Sequence, residues 1–339
     1  MILDLKEGAI IRDYKVISLL GEGGMGKVWL VEDTMLGRKL ALKVLSPQMA
    51  MDNSLVERFT QEARIQQKLK HDNIVSLIAF FQEAGTYYIA MEYAPGISLK
   101  QLIGRTGPIP SERAVPMMLQ ILSALAYTHS LGIIHRDIKP SNIMIDPDNQ
   151  DHVMIMDFGI AKAVQDYGKT HTGSQIGTVY YMSPEQVKDS KRVDHRTDIF
   201  SAGITFYEIL TGRVPYDTGT DSSFAIQTAI VNEPLPDPRQ IYKFIPDYLV
   251  QMLQKMCAKD VGERFTDCNE ILDYLDEDDE EEFIPQDYGL QVEREDAEPQ
   301  EVKMERAKIV SQIWGYIGYF FIAFCAILIL RNCAGLLSS

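Results

Sequence analysis

Asp137, Lys139 and Asn142 lie within one short run, His135-Arg136-Asp137-Ile138-Lys139-Pro140-Ser141-Asn142, and Asp157-Phe158-Gly159 follows it. Moving a phosphoryl group onto a hydroxyl needs an acceptor for the hydroxyl hydrogen, a cation facing the phosphate, and oxygen ligands for Mg²⁺. Asp137 fits the first role and Lys139 the second. Asn142 and Asp157 fit the third.

Upstream, Gly21-Glu22-Gly23-Gly24-Met25-Gly26-Lys27-Val28 has the form G-x-G-x-x-G-x-V. Gly21, Gly23 and Gly26 let the backbone come close to phosphates with no Cβ in the way. Alone the pattern is weak, because a dinucleotide-binding reading requires a helix directly after it. Val28-Trp29-Leu30-Val31 reads instead as a strand. Ala41-Leu42-Lys43 then ends a third strand, and the Lys43 ammonium can reach the α- and β-phosphates of a nucleotide. It needs a carboxylate to fix its position, and Glu57 and Glu62 in the next segment are the candidates.

The elements that must hold these groups show as periodic patterns. Residues 14–20, 28–33 and 39–45 are short runs rich in Val, Leu and Ile, separated by glycine-containing turns, and read as strands. A helix over 53–69 follows, with Val56, Phe59, Ala63 and Leu69 roughly at helical spacing. Two strands, 75–82 and 87–92, precede Pro95-Gly96. The pattern then turns helical, most clearly over 115–129, with Pro110 and Ser111 as start signals. A strand-rich part followed by a helix-rich part implies two lobes joined near 92–96.

With 46% hydrophobic and 24% charged residues the 339-residue chain can build a real core. Its formal net charge of −15 argues against generic nucleic-acid binding. Residues 276–308 carry 14 of the acidic side chains and 4 basic ones, which leaves the first 275 residues only mildly acidic. The run 276–282, DEDDEEE, cannot pack against itself. With Pro285 and Pro299 beyond, it reads as a solvated linker; a docking surface for a basic partner is the sharper alternative. Residues 313–330 carry no charge. As a helix they span about 27 Å, near the ~30 Å of a bilayer core. Trp314, Tyr316 and Tyr319 sit where an aromatic belt belongs. Lys303, Arg306 and Lys308 precede this run and only Arg331 follows, so the C-terminus is expected outside. Cys257, Cys268, Cys325 and Cys333 lack metal-ligand spacing and read as buried or lipid-facing thiols in a reducing compartment. The start, MILDLKEGAI, shows no signal-peptide pattern.

In this order and spacing the motifs resemble the eukaryotic-like (Hanks-type) serine/threonine protein kinases, particularly the bacterial membrane-bound ones, over roughly 14–275. The resemblance implies an α+β, bilobal protein kinase fold with a β-rich N-lobe and a helical C-lobe. The expected organisation is an N-terminal segment 1–13, the kinase domain 14–275, an acidic juxtamembrane linker 276–308, a transmembrane helix 309–330 and a short extracytoplasmic tail 331–339. ATP with Mg²⁺ or Mn²⁺, and Ser or Thr hydroxyls of proteins, are the implied cofactors and acceptors. Arg-Phe-Thr-Gln-Glu-Ala (58–63) looks like the family's helix segment and favours Glu62 as the partner of Lys43. Val28, Ala41 and Met144 would sandwich adenine, the backbone of Glu92 to Ala94 would bind it, and Met91 would be the gatekeeper. Gly177-Thr178 and Ser183-Pro184-Glu185 resemble the substrate-binding end of the activation segment. Asp198 looks like the buried acid that holds the 135–142 loop, and Arg264 would pair with Glu185. Lys139 and Thr178 are typical of serine/threonine rather than tyrosine kinases. Arg136 before Asp137 implies pairing with a phosphate on the activation segment, at Thr170, Thr172 or Ser174.

Three residues depart from the family's pattern. Ser183 replaces a usual Ala, and Asp72 replaces a frequent Pro. Gln66 replaces an apolar residue that packs on Phe158, and a polar side chain there is expected to loosen the site. A pseudokinase or membrane scaffold is the alternative reading, and a small-molecule phosphotransferase a third. The full set of Lys43, Glu62, Asp137, Asn142 and Asp157 favours the enzyme. The expected partners are protein substrates, the membrane through one helix, and a second copy for mutual phosphorylation.

Overall fold

The computed structural model of the chain describes residues 5–23, 26–46, 48–158, 176–190, 192–216 and 222–279. The chain divides into two units, Met1–Glu281 and Glu282–Ser339, and the described residues belong to the first. The expected transmembrane helix over 309–330 lies outside them. Among the described residues no helix is long and apolar enough to cross a membrane.

Six antiparallel strands form the first lobe: β1 (Ile10–Ile11), β2 (Tyr14–Gly23), β3 (Gly26–Asp33), β4 (Arg38–Leu45), β5 (Leu77–Glu83) and β6 (Thr86–Glu92), in the order β1-β2-β3-β4-β6-β5. Side chains alternate between the two faces of a strand. Trp29, Val31, Leu40 and Leu42 join Tyr88 and Phe81 in one cluster on one face. Val28, Ala41 and Leu45 join Phe59 and Ala63 of helix α1 (Asn53–Gln66) on the other. Lys43 falls on this second face by the same alternation. It pairs in register with Val28 on β3 and Ile89 on β6, in the middle of the sheet.

Helix α1 starts at a capped end, with the Asp52 side chain accepting from Ser54 N. It stops at Gln66, short of the expected 69. Leu69 is instead buried in the core of the second lobe, so the chain leaves the helix to place it there. Strand β5 likewise starts at Leu77 and not at 75. Val75 N donates to Ile155 O at 3.0 Å, and Ile155 N donates to Asn73 O at 2.8 Å. Residues 73–75 are zipped to another strand before the sheet begins.

The second lobe opens with β7 (Ile97–Ser98), α2 (Leu99–Thr106) and α3 (Ser111–Ser130), then β8 (Ile143–Asp146) and β9 (His152–Ile155). The three strands form a small sheet in sequence order. Gly96 makes the entry possible: its φ is +89°, and a Cβ there would fall 2.0 Å from Ile145 O. Beyond lie α4 (Ile176–Val179), α5 (Pro184–Asp189), α6 (Arg196–Thr211), α7 (Ser223–Asn232), α8 (Asp247–Met256) and α9 (Cys268–Asp279). Helix α9 continues four residues past 275, into the start of the expected linker. Every residue of α6 from Thr197 to Thr211 is buried, as a helix surrounded by other elements requires. Fully buried Phe200, Phe206 and Tyr207 each contribute roughly 1.5–3 kcal/mol of apolar burial. Gly212, at φ +75°, ends the helix with its N–H on Glu208 O.

Candidate active site

Lys43 is the meeting point of three elements. From β4 its Nζ donates to Glu62 Oε1 on α1 at 2.6 Å and to Asp157 Oδ1, just after β9, at 2.8 Å. Burial alone would depress the ammonium, but the carboxylates of Asp157 and Glu62 outweigh it and hold its pKa well above the usual lysine value. Burial raises the Glu62 carboxyl, with the Lys43 charge opposing. Asp157 is held below the usual carboxylate range by the Lys43 charge, against its burial penalty. Glu57, the other candidate, is exposed.

Asp157 has a φ of +55° and Arg136 a φ of +66°, a region costly for residues with a Cβ. The structure holds both by several bonds. Asp198 on α6 accepts from His135 N and Arg136 N, each at 2.8 Å. His129 Nε2 donates to the same carboxylate at 2.8 Å. Although burial penalises it, Asp198 stays below the usual carboxylate range because His129 and the backbone donors favour its charge. The His135 ring lies 4.5 Å from the Phe158 ring, centroid to centroid. Burial pushes the His135 imidazole down, with Asp198 and Asp137 opposing.

Within the 135–142 loop, Lys139 Nζ donates to Asp137 Oδ2 at 2.9 Å and to Thr178 Oγ1 at 2.8 Å. Asn142 Nδ2 donates to Asp137 O at 2.9 Å and Asp137 Oδ2 at 3.0 Å. Met156 N donates to Asn142 O at 3.0 Å, which seats Asn142 beside the Asp157 segment. Glu185 and Arg264 form a bidentate pair at 2.7 and 2.8 Å, with the Arg264 side chain 0% exposed.

Val28, Ala41, Met91, Ala94 and Met144 gather in one apolar cluster shared by the two lobes. Beside it, Glu92 N donates to Ser76 O at 2.9 Å and Glu92 Oε2 accepts from Ser76 N at 3.3 Å. The three glycines differ in their surroundings. A Cβ on Gly21 or Gly23 would meet open space, whereas one on Gly26, at φ +151°, would fall 1.9 Å from Val44 O. Gly26 is therefore demanded by strand pairing, and only Gly21 and Gly23 are left open for a ligand's approach. Met25 and Gly24, like Thr170, Thr172 and Ser174, lie outside the described residues.

Two features add to the sequence reading. Gln186 closes a capping box with Ser183 on α5 and donates from Nε2 to Arg136 O at 3.1 Å. The Ser-x-x-Gln spacing was the available signal. Tyr181 donates to the buried Glu208 carboxylate, which Lys100 also engages at 2.6 Å; no local pattern marks that set. Gln66 is 4% exposed, and its Nε2 donates to Val75 O at 3.0 Å, so the polar side chain is buried with its amide hydrogen-bonded.

The protein kinase domain family matches residues 14–275. The serine/threonine-protein kinase PrkC of Bacillus subtilis is 38% identical over 252 residues, 74% of this chain and 38% of that one. A probable serine/threonine-protein kinase PknB of Lactococcus lactis is 38% identical over 267 residues, 78% and 42% of the two chains. The chain thus spans about two fifths of the length of these relatives. Among solved structures, a point mutant of the Mycobacterium tuberculosis PknI kinase domain aligns with a TM-score of 0.62 at 26% identity, covering 81% of this chain and 99% of that one. Rad53 in complex with AMP-PNP aligns with a TM-score of 0.64 at 26% identity, over 78% and 65%. The bilobal fold, the order of the motifs and these matches agree: the chain belongs to the protein kinase family and is similar to its bacterial serine/threonine members.

Proposed function

We propose that the chain is a serine/threonine protein kinase that transfers the γ-phosphoryl group of ATP to Ser or Thr hydroxyls of proteins. The observation that carries this reading is the Lys43 ammonium bonded at once to Glu62 and Asp157, the arrangement that orients nucleotide phosphates in this family. Val28, Ala41 and Met144 offer apolar faces for adenine, and the backbone of Glu92 to Ala94 its polar edge. Asp137 accepts the hydroxyl hydrogen, and Lys139 faces the transferred phosphate.

Asp157 and Asn142 would hold Mg²⁺ or Mn²⁺. The donor set fits: both offer oxygen, and the Asp157 side chain is 43% exposed. The described residues contain no cluster of three or more His, Cys, Asp or Glu able to hold a metal, and Mg²⁺ commonly takes one or two protein oxygens and completes its shell with phosphates and water. A divalent ion held there would supply charge neutralisation for the phosphates. The remaining work of the chain is positioning and electrostatics.

Anchoring by residues 309–330, with the kinase domain cytoplasmic and the C-terminus outside, is part of the same proposal. The uncharged run and the Lys303, Arg306 and Lys308 cluster support it. With 276–279 taken up by α9, the 29 residues 280–308 would have a reach as flexible chain of roughly 30 Å, so neighbours in the membrane could phosphorylate each other's Thr170 or Thr172. A phosphate there would pair with Arg136. A reporter fused after Ser339 that works only outside the cytoplasm should be active; activity of a cytoplasm-only reporter would overturn the topology. Phosphoamino-acid analysis of a protein substrate incubated with the full chain and labelled ATP tests the activity. Label on serine and threonine is expected, and label on tyrosine alone or on small molecules alone contradicts it.

A further inference from the structure

Four buried side chains of α1, Phe59, Glu62, Ala63 and Gln66, form one helical stripe, and two of them are polar. Glu62 reaches forward to Lys43. Gln66, one turn later, reaches back, and its Nε2 donates to Val75 O at 3.0 Å. Val75 is not a passive acceptor. Its N–H donates to Ile155 O at 3.0 Å, and Ile155 ends β9, two residues before Asp157. Asn73 fixes the same junction, with Nδ2 on Val153 O at 2.8 Å. Asp157 then returns to Lys43 at 2.8 Å. The bonds close a ring: Lys43, Glu62, α1, Gln66, Val75, Ile155, Asp157 and back to Lys43.

We propose that Gln66 is a positioning residue that locks the spacing between Glu62 and Asp157 by bonding α1 to Val75, which is itself paired with the β9 strand that leads to Asp157. This rests on the kinase reading of the site and adds to it. An apolar side chain at 66 would pack but could not fix the helix along its axis against a backbone carbonyl. The amide does, because a hydrogen bond has a direction and a length. Losing it also strands a buried carbonyl. Gln66 touches neither nucleotide nor acceptor, so its effect must pass through the spacing of Glu62 and Asp157.

The test uses the full chain. Gln66→Met keeps length and helix propensity and removes the donor. It is expected to lower kcat by about three- to tenfold, the scale of one net hydrogen bond, with the KM for ATP changed less than about twofold. Gln66→Asn keeps the amide but shortens its reach, and should lose a similar factor. In a Glu62→Gln background the Gln66→Met loss should shrink to under about twofold, since coupled residues are non-additive. Hydrogen exchange of α1 amides should quicken in Gln66→Met while α3 and α6 stay unchanged. Unchanged kcat in both variants, a full multiplicative loss in the Glu62→Gln background, or unaltered exchange in α1 would each overturn the proposal. A wild type that binds ATP and transfers nothing would overturn the kinase reading instead, and the exchange comparison would still judge the latch.

Discussion

The Lys139 ammonium donates to the Thr178 hydroxyl at 2.8 Å, joining the 135–142 loop to the segment that leads into α5. The same ammonium holds Asp137 at 2.9 Å, so under the proposed function Thr178 would help aim the group that meets the substrate hydroxyl. Thr178→Ala should lower kcat/KM for a protein substrate by about tenfold or more, the scale of a hydrogen bond to a charged group, while Thr178→Ser keeps most of it. Steady-state kinetics with both variants decides. Equal activity of Thr178→Ala and wild type would show the bond to be incidental.

Lys43→Met removes the hub shared by Glu62 and Asp157. Phosphoryl transfer should fall by at least about a hundredfold, a loss of some 2.7 kcal/mol in transition-state stabilisation. Single-turnover transfer measures it directly, and near-normal turnover would remove Lys43 from the assigned role.

Glycine substitutions should separate strand pairing from ligand approach. Gly26→Ala places a methyl group against Val44 O at a strained φ and should destabilise the chain by about 1–3 kcal/mol. Gly21→Ala enters open space and should leave stability within about 0.5 kcal/mol while raising the KM for ATP. Thermal melts and ATP titrations of the two variants make the comparison. The reverse pattern would contradict the reading of the loop.

The Arg264 and Glu185 pair joins the end of the activation segment to the loop after α8. The Arg264 side chain is fully buried, so Arg264→Ala leaves a partly buried carboxylate behind. A loss of about 3–5 kcal/mol is expected in denaturant unfolding. A change below about 1 kcal/mol would mean that water replaces the guanidinium at no penalty.

Lys259 supplies a pH test. Its Nζ donates to Tyr216 Oη at 2.7 Å and to Ile230 O at 2.5 Å, and burial pushes its pKa down to about 8 from 10.5. Above pH 8 the folded chain releases this proton while the unfolded chain keeps it. Stability from this group therefore rises with pH from about 8 toward 10.5. Cys257 and Tyr216 act oppositely, because burial raises both, but from their unfolded values of 9.0 and 10.0 upward. The clean window is pH 8 to 9. There the melting temperature of wild type should gain on that of Lys259→Met as pH rises, and a constant gap would refute the depressed pKa.

Much of the site could be read from spacing because its chemistry is concentrated in short runs. The 135–142 loop carries its own acid, cation and amide, and strand alternation alone puts Lys43 on the face of Ala41 and Leu45. Glu62 against Glu57 could not be settled by spacing. The choice depends on which face of α1 is buried, a tertiary fact. The end of α1 and the start of β5 depart from the periodicity for a related reason: Leu69 is drawn into the second lobe, and Val75 is paired with Ile155. The partners of Glu208, contributed by Lys100 and Tyr181, come from distant positions and leave no local signature. The partner of Gln66 was not legible, because an apolar expectation says nothing about the Val75 carbonyl it meets.

The central claim is that Asp137 serves the acceptor hydroxyl within an assembled phosphoryl-transfer site. Its most direct test is transfer from labelled ATP, with Mg²⁺, to a generic protein substrate by the full chain and by Asp137→Asn, with nucleotide binding measured in parallel. The account predicts labelled serine and threonine with wild type, and loss of transfer with ATP binding largely retained in Asp137→Asn. Equal transfer by both proteins, or none by a folded, ATP-binding wild type, would contradict it.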